Sequence, residues 1–165
     1  MKLRSIAILA LLLSIGGAAL WFSGIGRAAL APPYDEAANA QHDVAQAMAS
    51  AKAANLPTLV IFGANWCEDC RALDKSLKTT ANAELMSKSF VMVKVDVGNF
   101  DRNLDLTAQY GNPIKKGIPA AVILSADNQV VYATRAGELS SARRMGDSGI
   151  RDFFQNLVAL GKAKS

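Results

Sequence analysis

Asn65-Trp66-Cys67-Glu68-Asp69-Cys70-Arg71 contains both cysteines of the 165-residue chain, with two residues between them. Upstream lies Thr58-Leu59-Val60-Ile61-Phe62, an uncharged run of β-type residues, and downstream the pattern turns helical. A Cys-x-x-Cys pair at a strand-to-helix turn points to thiol–disulfide chemistry. The spacing suits a small, reversible disulfide ring. The partial positive charge of a helix N-terminus favours thiolate on the first, more exposed sulfur. Cys67 is therefore the candidate nucleophile and Cys70 the candidate resolving thiol.

The pair stands alone. An exported chain that uses disulfides as staples normally carries several, more widely spaced. A ring this tight restrains little of the unfolded chain, although a minor staple is the alternative reading. His42 is the single histidine. With two cysteines and one histidine, a closed four-ligand zinc site cannot be built from the usual donors.

At the other end, Met1-Lys2-Leu3-Arg4 is basic, and an apolar run extends from Ile6 to about Ile25. This is the plan of an export signal. Gly26-Arg27-Ala28 offers small residues at the two positions that a signal peptidase needs. The run is also nearly long enough to span a bilayer, which takes about 20 residues, so an uncleaved anchor stays open beside a cleaved signal. Residues 1–28 are assigned to this segment and 29–55 to a linker and a helix. The leader also explains the charge. Of 18 Lys and Arg, Lys2, Arg4 and Arg27 belong to it, and the other 15 face 14 acids. The chain offers no basis for nucleic-acid binding, since Lys115-Lys116 and Arg143-Arg144 are isolated pairs.

Between these ends the pattern resolves into elements. Asp35 to Asn55 reads as an Ala-rich helix capped at Asp35 and ended before Pro57. Leu56 to Ala64 is a strand buried on both faces. Trp66 to Leu77 and Ala81 to Ser89 are helical, and Phe90 to Val97 is the next strand, in a parallel βαβ arrangement. Asn103 to Tyr110 is a short helix. Ala120 to Leu124 and Val130 to Ala133 form a hairpin across Asp127-Asn128-Gln129. Gly137 to Gly149 is polar and reads as loop, and Ile150 to Leu160 as the closing helix.

This order, with Trp66-Cys67-Glu68-Asp69-Cys70 after the first strand, resembles the thioredoxin-like superfamily over about Leu56 to Leu160. Val95-Asp96, Tyr110-Gly111 and Gly117-Ile118-Pro119, about 50 residues beyond the cysteines, carry the likeness further. The resemblance implies an α/β fold, a central mixed β-sheet flanked by helices, occupying 56–165. It also implies a cis Ile118–Pro119 bond lying against the cysteine turn. Proline lacks an N–H, so the backbone of Ile118 is left to pair with an extended substrate strand beside Cys67. An ordinary turn proline ahead of a strand is the plainer alternative. Trp66 would offer a flat apolar surface next to the reactive sulfur, or else simply fill core.

Three departures stand out. Glu68-Asp69 replaces the family's usual Gly-Pro. Two acids oppose a thiolate that the helix tip favours, which makes the couple more reducing. Equally, they fit as first-turn acids complementing the helix dipole. The family's buried aspartate, six residues before the first cysteine, is Ile61 here. Proton transfer at Cys70 would then fall to water, Glu68 or Asp69. Finally, Asn112 to Lys116 and Gly137 to Gly149 are longer than in thioredoxin, which favours a chosen partner.

The expected protein is thus an exported or tethered thiol–disulfide oxidoreductase of a bacterial envelope, a monomer acting as reductant of protein disulfides. A membrane thiol donor would supply electrons, and no metal or organic cofactor is implied. The rival is a thioredoxin-like binding module, holding clients or delivering copper. Against copper, no histidine or methionine lies within the motif. Against covalent haem, Arg71 stands where Cys-x-x-Cys-His needs histidine.

Overall fold

A computed structural model describes residues 31–162, and the leader expected over 1–28 lies outside the described residues. Among the described residues no helix is long and apolar enough to cross a membrane. The folded unit begins at Pro32. Its elements are α1 (Ala40–Ala54), β1 (Thr58–Gly63), α2 (Glu68–Leu77), α3 (Thr80–Ser89), β2 (Val91–Asp96), α4 (Leu104–Gln109), a 3-10 turn (Pro113–Lys116), β3 (Ala120–Leu124), β4 (Val130–Ala133) and α5 (Ala142–Lys162).

The four strands form one mixed sheet in the order β2-β1-β3-β4. β1 runs parallel to β2, with Gly63 opposite Asp96, and antiparallel to β3, with Phe62 opposite Ala120. All six residues of β1 are buried. The alternation of a strand therefore serves two cores at once. Val60 and Phe62 face the side covered by α1 and α4, together with Val122 and Leu124. Leu59 and Ile61 face the side covered by α2, α3 and α5, together with Ala121 and Ile123.

Most expected boundaries shift by a residue or two, and two move further. Asp35 does not cap α1. Its carboxylate accepts the Ala37 N–H at 2.9 Å, closing a local turn, and Asn39 caps the helix by accepting from His42 N at 3.1 Å. Asx side chains serve either purpose, and local geometry decides which. α1 then buries Ala40, Val44, Ala47 and Ala51 at helical spacing. It ends at Asn55 in the left-handed region, just before Pro57.

The polar stretch 137–149 is also not all loop. Helix begins at Ala142, breaks at Gly146 (φ 67°), and continues to Lys162. Leu139 and Ala142 are buried in the core under α2 and α5. Their burial, absent from any local pattern among Ser, Arg and Gly, holds this first turn in place.

Candidate active site

β1 ends at Gly63, and a tight turn carries the chain into α2. Cys67 is the N-cap of that helix, and its sulfur accepts the Cys70 N–H at 3.1 Å. The two cysteines are joined as a disulfide, with Cα atoms 5.2 Å apart. Arg71 clamps the turn from below, donating to the carbonyls of Asn65 and Trp66, both at 2.8 Å. Asn65 ties it to the segment before α1, accepting from Tyr34 N at 3.0 Å and donating to Tyr34 O at 2.9 Å. Cys67 keeps 6% exposure and Cys70 none. Of the two residues only Cys67 keeps any exposure, which suits attack there and resolution from within.

The Ile118–Pro119 peptide is cis, and the Ile118 carbonyl oxygen lies 3.7 Å from Cys67 Sγ. The long segment ahead of it forms the 3-10 turn, followed by Gly117 at φ 112°. Trp66 is 53% exposed, so it is not core. Its indole N–H donates to Gly98 O at 2.9 Å, and its ring meets Phe100 edge-on, centroids 6.0 Å apart. Trp66 and Ile118 thus flank Cys67, the first as its chain neighbour and the second through its carbonyl oxygen.

Glu68 and Asp69 occupy the first turn of α2, and neither stands free. Arg143, from the first turn of α5, donates its backbone N–H to Asp69 Oδ1 at 3.0 Å and its guanidinium to Glu68. Both acids are therefore engaged on the surface side of the turn, while Cys70 faces inward.

Behind Cys70 is a residue that the sequence hid in a linker. Tyr34 is 2% exposed. Its ring and hydroxyl, like Cys70 Sγ, crowd the point where a side chain on Gly63 would begin. Burial, then the negative charges of Asp74 and Asp96, push the phenol above its ordinary range, so it stays neutral. Asp96, opposite Gly63 at the end of β2, is buried too. That burial raises its carboxyl, although the Gly98 N–H and Arg102 pull the other way. Among the described residues no group of three or more His, Cys, Asp or Glu could hold a metal ion. Arg71, Arg143 and Tyr34 carried no motif. The one clue was an aromatic following Pro32-Pro33.

A family model described as thioredoxin-like matches residues 38–126, and the chain belongs to that family. It is similar to the crystal structure of a disulphide isomerase from Xylella fastidiosa Temecula1. The two are 55% identical, with 78% of this chain and 98% of that one covered and a TM-score of 0.77. A solution structure of a thioredoxin from Thermus thermophilus is 22% identical over 67% of this chain and 82% of that one, with a TM-score of 0.47. No curated protein matches. Fold, motif and the Xylella neighbour together support thiol–disulfide oxidoreductase chemistry in general.

Proposed function

We propose that the chain reduces protein disulfides in the envelope of a bacterium. Cys67, as thiolate, attacks one sulfur of a partner disulfide, and the partner's S–S bond breaks as the mixed disulfide forms. Cys70 then gives up its proton and attacks Cys67 Sγ. The partner leaves with both sulfurs reduced, and the Cys67–Cys70 bond holds the two-electron oxidation. A membrane thiol donor would restore the pair. The observation that carries this reading is the difference between a reachable Cys67 and a sealed Cys70, one sulfur capping α2 and the other beneath it.

Glu68 and Asp69 bear on the direction, since two carboxylates share the single Arg143 charge and the remaining negative charge near Cys67 disfavours its thiolate and so the reduced form. Ile118 offers its backbone to an extended partner segment, and Trp66 an apolar surface. The Xylella neighbour is called a disulphide isomerase. Isomerisation begins with the same attack, so that name supports protein disulfides as substrate.

The test is insulin reduction driven by dithiothreitol. Cys67→Ser is expected to lose the acceleration entirely, and Cys70→Ser to accumulate a mixed disulfide visible on a non-reducing gel. Equal rates for Cys67→Ser and parent would favour the binding module, which holds clients without turnover. A reduction potential near about −270 mV fits a reductant, and one near about −120 mV would reverse the direction.

A further inference from the structure

Arg143 reaches the active site from outside the matched family region, residues 38–126. It holds both residues between the cysteines at once. Its backbone N–H donates to Asp69 at 3.0 Å, its Nε stands 3.6 Å from the same oxygen, and its Nη1 donates to Glu68. Main chain and side chain act together, unlike in a surface arginine pairing by its tip alone. The presentation is built into the fold. Leu139 is fully buried and Ala142 is 2% exposed, so the turn before Arg143 is anchored in the core. Gly146 then breaks the helix, which lets this first turn point independently of the rest of α5. The Asp69 side chain is only 14% exposed, which limits how far solvent screens it, whereas Glu68 (63%) and Arg143 (56%) are open to water and their pair is the weaker one.

We propose that Arg143 is a positioning residue for the reaction, offsetting part of the negative charge of Glu68 and Asp69 so that Cys67 can carry negative charge at the tip of α2. The inference rests on the exchange reading above and adds what adjusts it. Among the described residues, the charged or titratable groups bordering the cysteine turn are Glu68, Asp69 and Arg71 on α2, Arg143 on α5, the Tyr34 phenol behind Cys70, Glu36 bonded to Asn65, and Asp96 opposite Gly63 with Arg102 beside it. The Ile118–Pro119 segment brings no charge. When a dithiol reduces the site, it gives two electrons to the Cys67–Cys70 bond and becomes a disulfide. One of its protons goes to Cys70 and one to solvent, leaving Cys67 as thiolate. With Arg143 in place that charge forms beside a paired acidic couple. Without it, two unpaired carboxylates oppose the thiolate, and the oxidised form gains.

The experiment compares the parent, Arg143→Ala and Arg143→Lys, each also combined with Glu68→Gln/Asp69→Asn. Two readouts are used: the equilibrium with dithiothreitol and the pH profile of Cys67 alkylation by iodoacetamide. Arg143→Ala is expected to move the equilibrium about three- to tenfold toward the Cys67–Cys70 disulfide, about 14–30 mV at 29.6 mV per tenfold. Its alkylation profile moves to higher pH, and Arg143→Lys recovers a large part of both shifts. In the Glu68→Gln/Asp69→Asn background the effect of Arg143→Ala shrinks, the mark of coupling through the acids. A shift of equal size in that background overturns the proposal. So does an Arg143→Ala variant that melts at lower temperature with both readouts unchanged, because Arg143 would then be only a clip. A parent that fails to exchange with dithiothreitol sinks the exchange reading itself, and this inference with it. A parent that exchanges beside an indistinguishable Arg143→Ala sinks the inference alone.

Discussion

Gly63 shows how much one residue decides. A methyl group there would lie deep inside the contact distance of the Tyr34 hydroxyl and ring, and 3.0 Å from Cys70 Sγ. None of these groups can retreat, for Tyr34 and Cys70 are both buried. Gly63→Ala is therefore expected to cost about 1–3 kcal/mol, the usual penalty of overpacking a filled core. Urea unfolding of the oxidised protein measures it, and an unchanged midpoint would mean that Tyr34 is not seated against this turn. Ile61 faces the other core with Leu59, so the group beside the buried cysteine is a phenol from the N-terminal segment and not a side chain of that β1 position.

At the scale of elements, α2 must be held rigidly if its tip is to present Cys67. Asp74, one turn beyond Cys70, does part of this by bonding to Lys78 on its own helix at 2.8 Å and to Lys94 on β2. Burial alone would raise the Asp74 carboxyl. The hydrogen bonds and charges of the two lysines outweigh it and hold the carboxyl below its ordinary value. A group whose pKa is depressed by folding stabilises the fold above its unfolded pKa and loses that contribution as pH falls through the folded value. Asp74→Asn is thus expected to lower stability by about 1–3 kcal/mol at neutral pH. The gap to the parent closes as pH drops below the ordinary carboxylate value of about 3.9. Unfolding free energies measured across pH check it, and a gap that stays constant into acid would mean the pair contributes nothing through charge.

For the whole molecule, the decisive feature is a central strand shared by two cores. β1 feeds one core through Val60 and Phe62 and the other through Leu59 and Ile61. Tyr34, Ala40 and Val44, all N-terminal to it, complete the first core. A chain starting at Pro32 is expected to unfold in a single transition, with near- and far-ultraviolet circular dichroism coincident. A chain starting at Leu56 loses those three residues and α1, and is expected to be unfolded or molten. A cooperative transition in the shorter chain would show that α1 is an accessory.

What was legible in the sequence is what local chemistry encodes. The β1 run, the Cys-x-x-Cys turn, the proline before β3 and the β3–β4 hairpin were all readable, because hydrophobic period and turn residues act over a few positions. Those features carry the family and the identity of Cys67 and Cys70 as the disulfide pair. Only tertiary structure decided what surrounds them. Arg143 meets Glu68 across 75 positions, and Asn65 meets Tyr34 across 31. Neither contact has a local signature, since each partner is drawn in by burial elsewhere: Leu139 and Ala142 for the first, Tyr34 itself for the second. Packing over long separations turned a polar stretch into a helical turn and a linker into core, and it gave the two acids beside Cys67 a counter-charge.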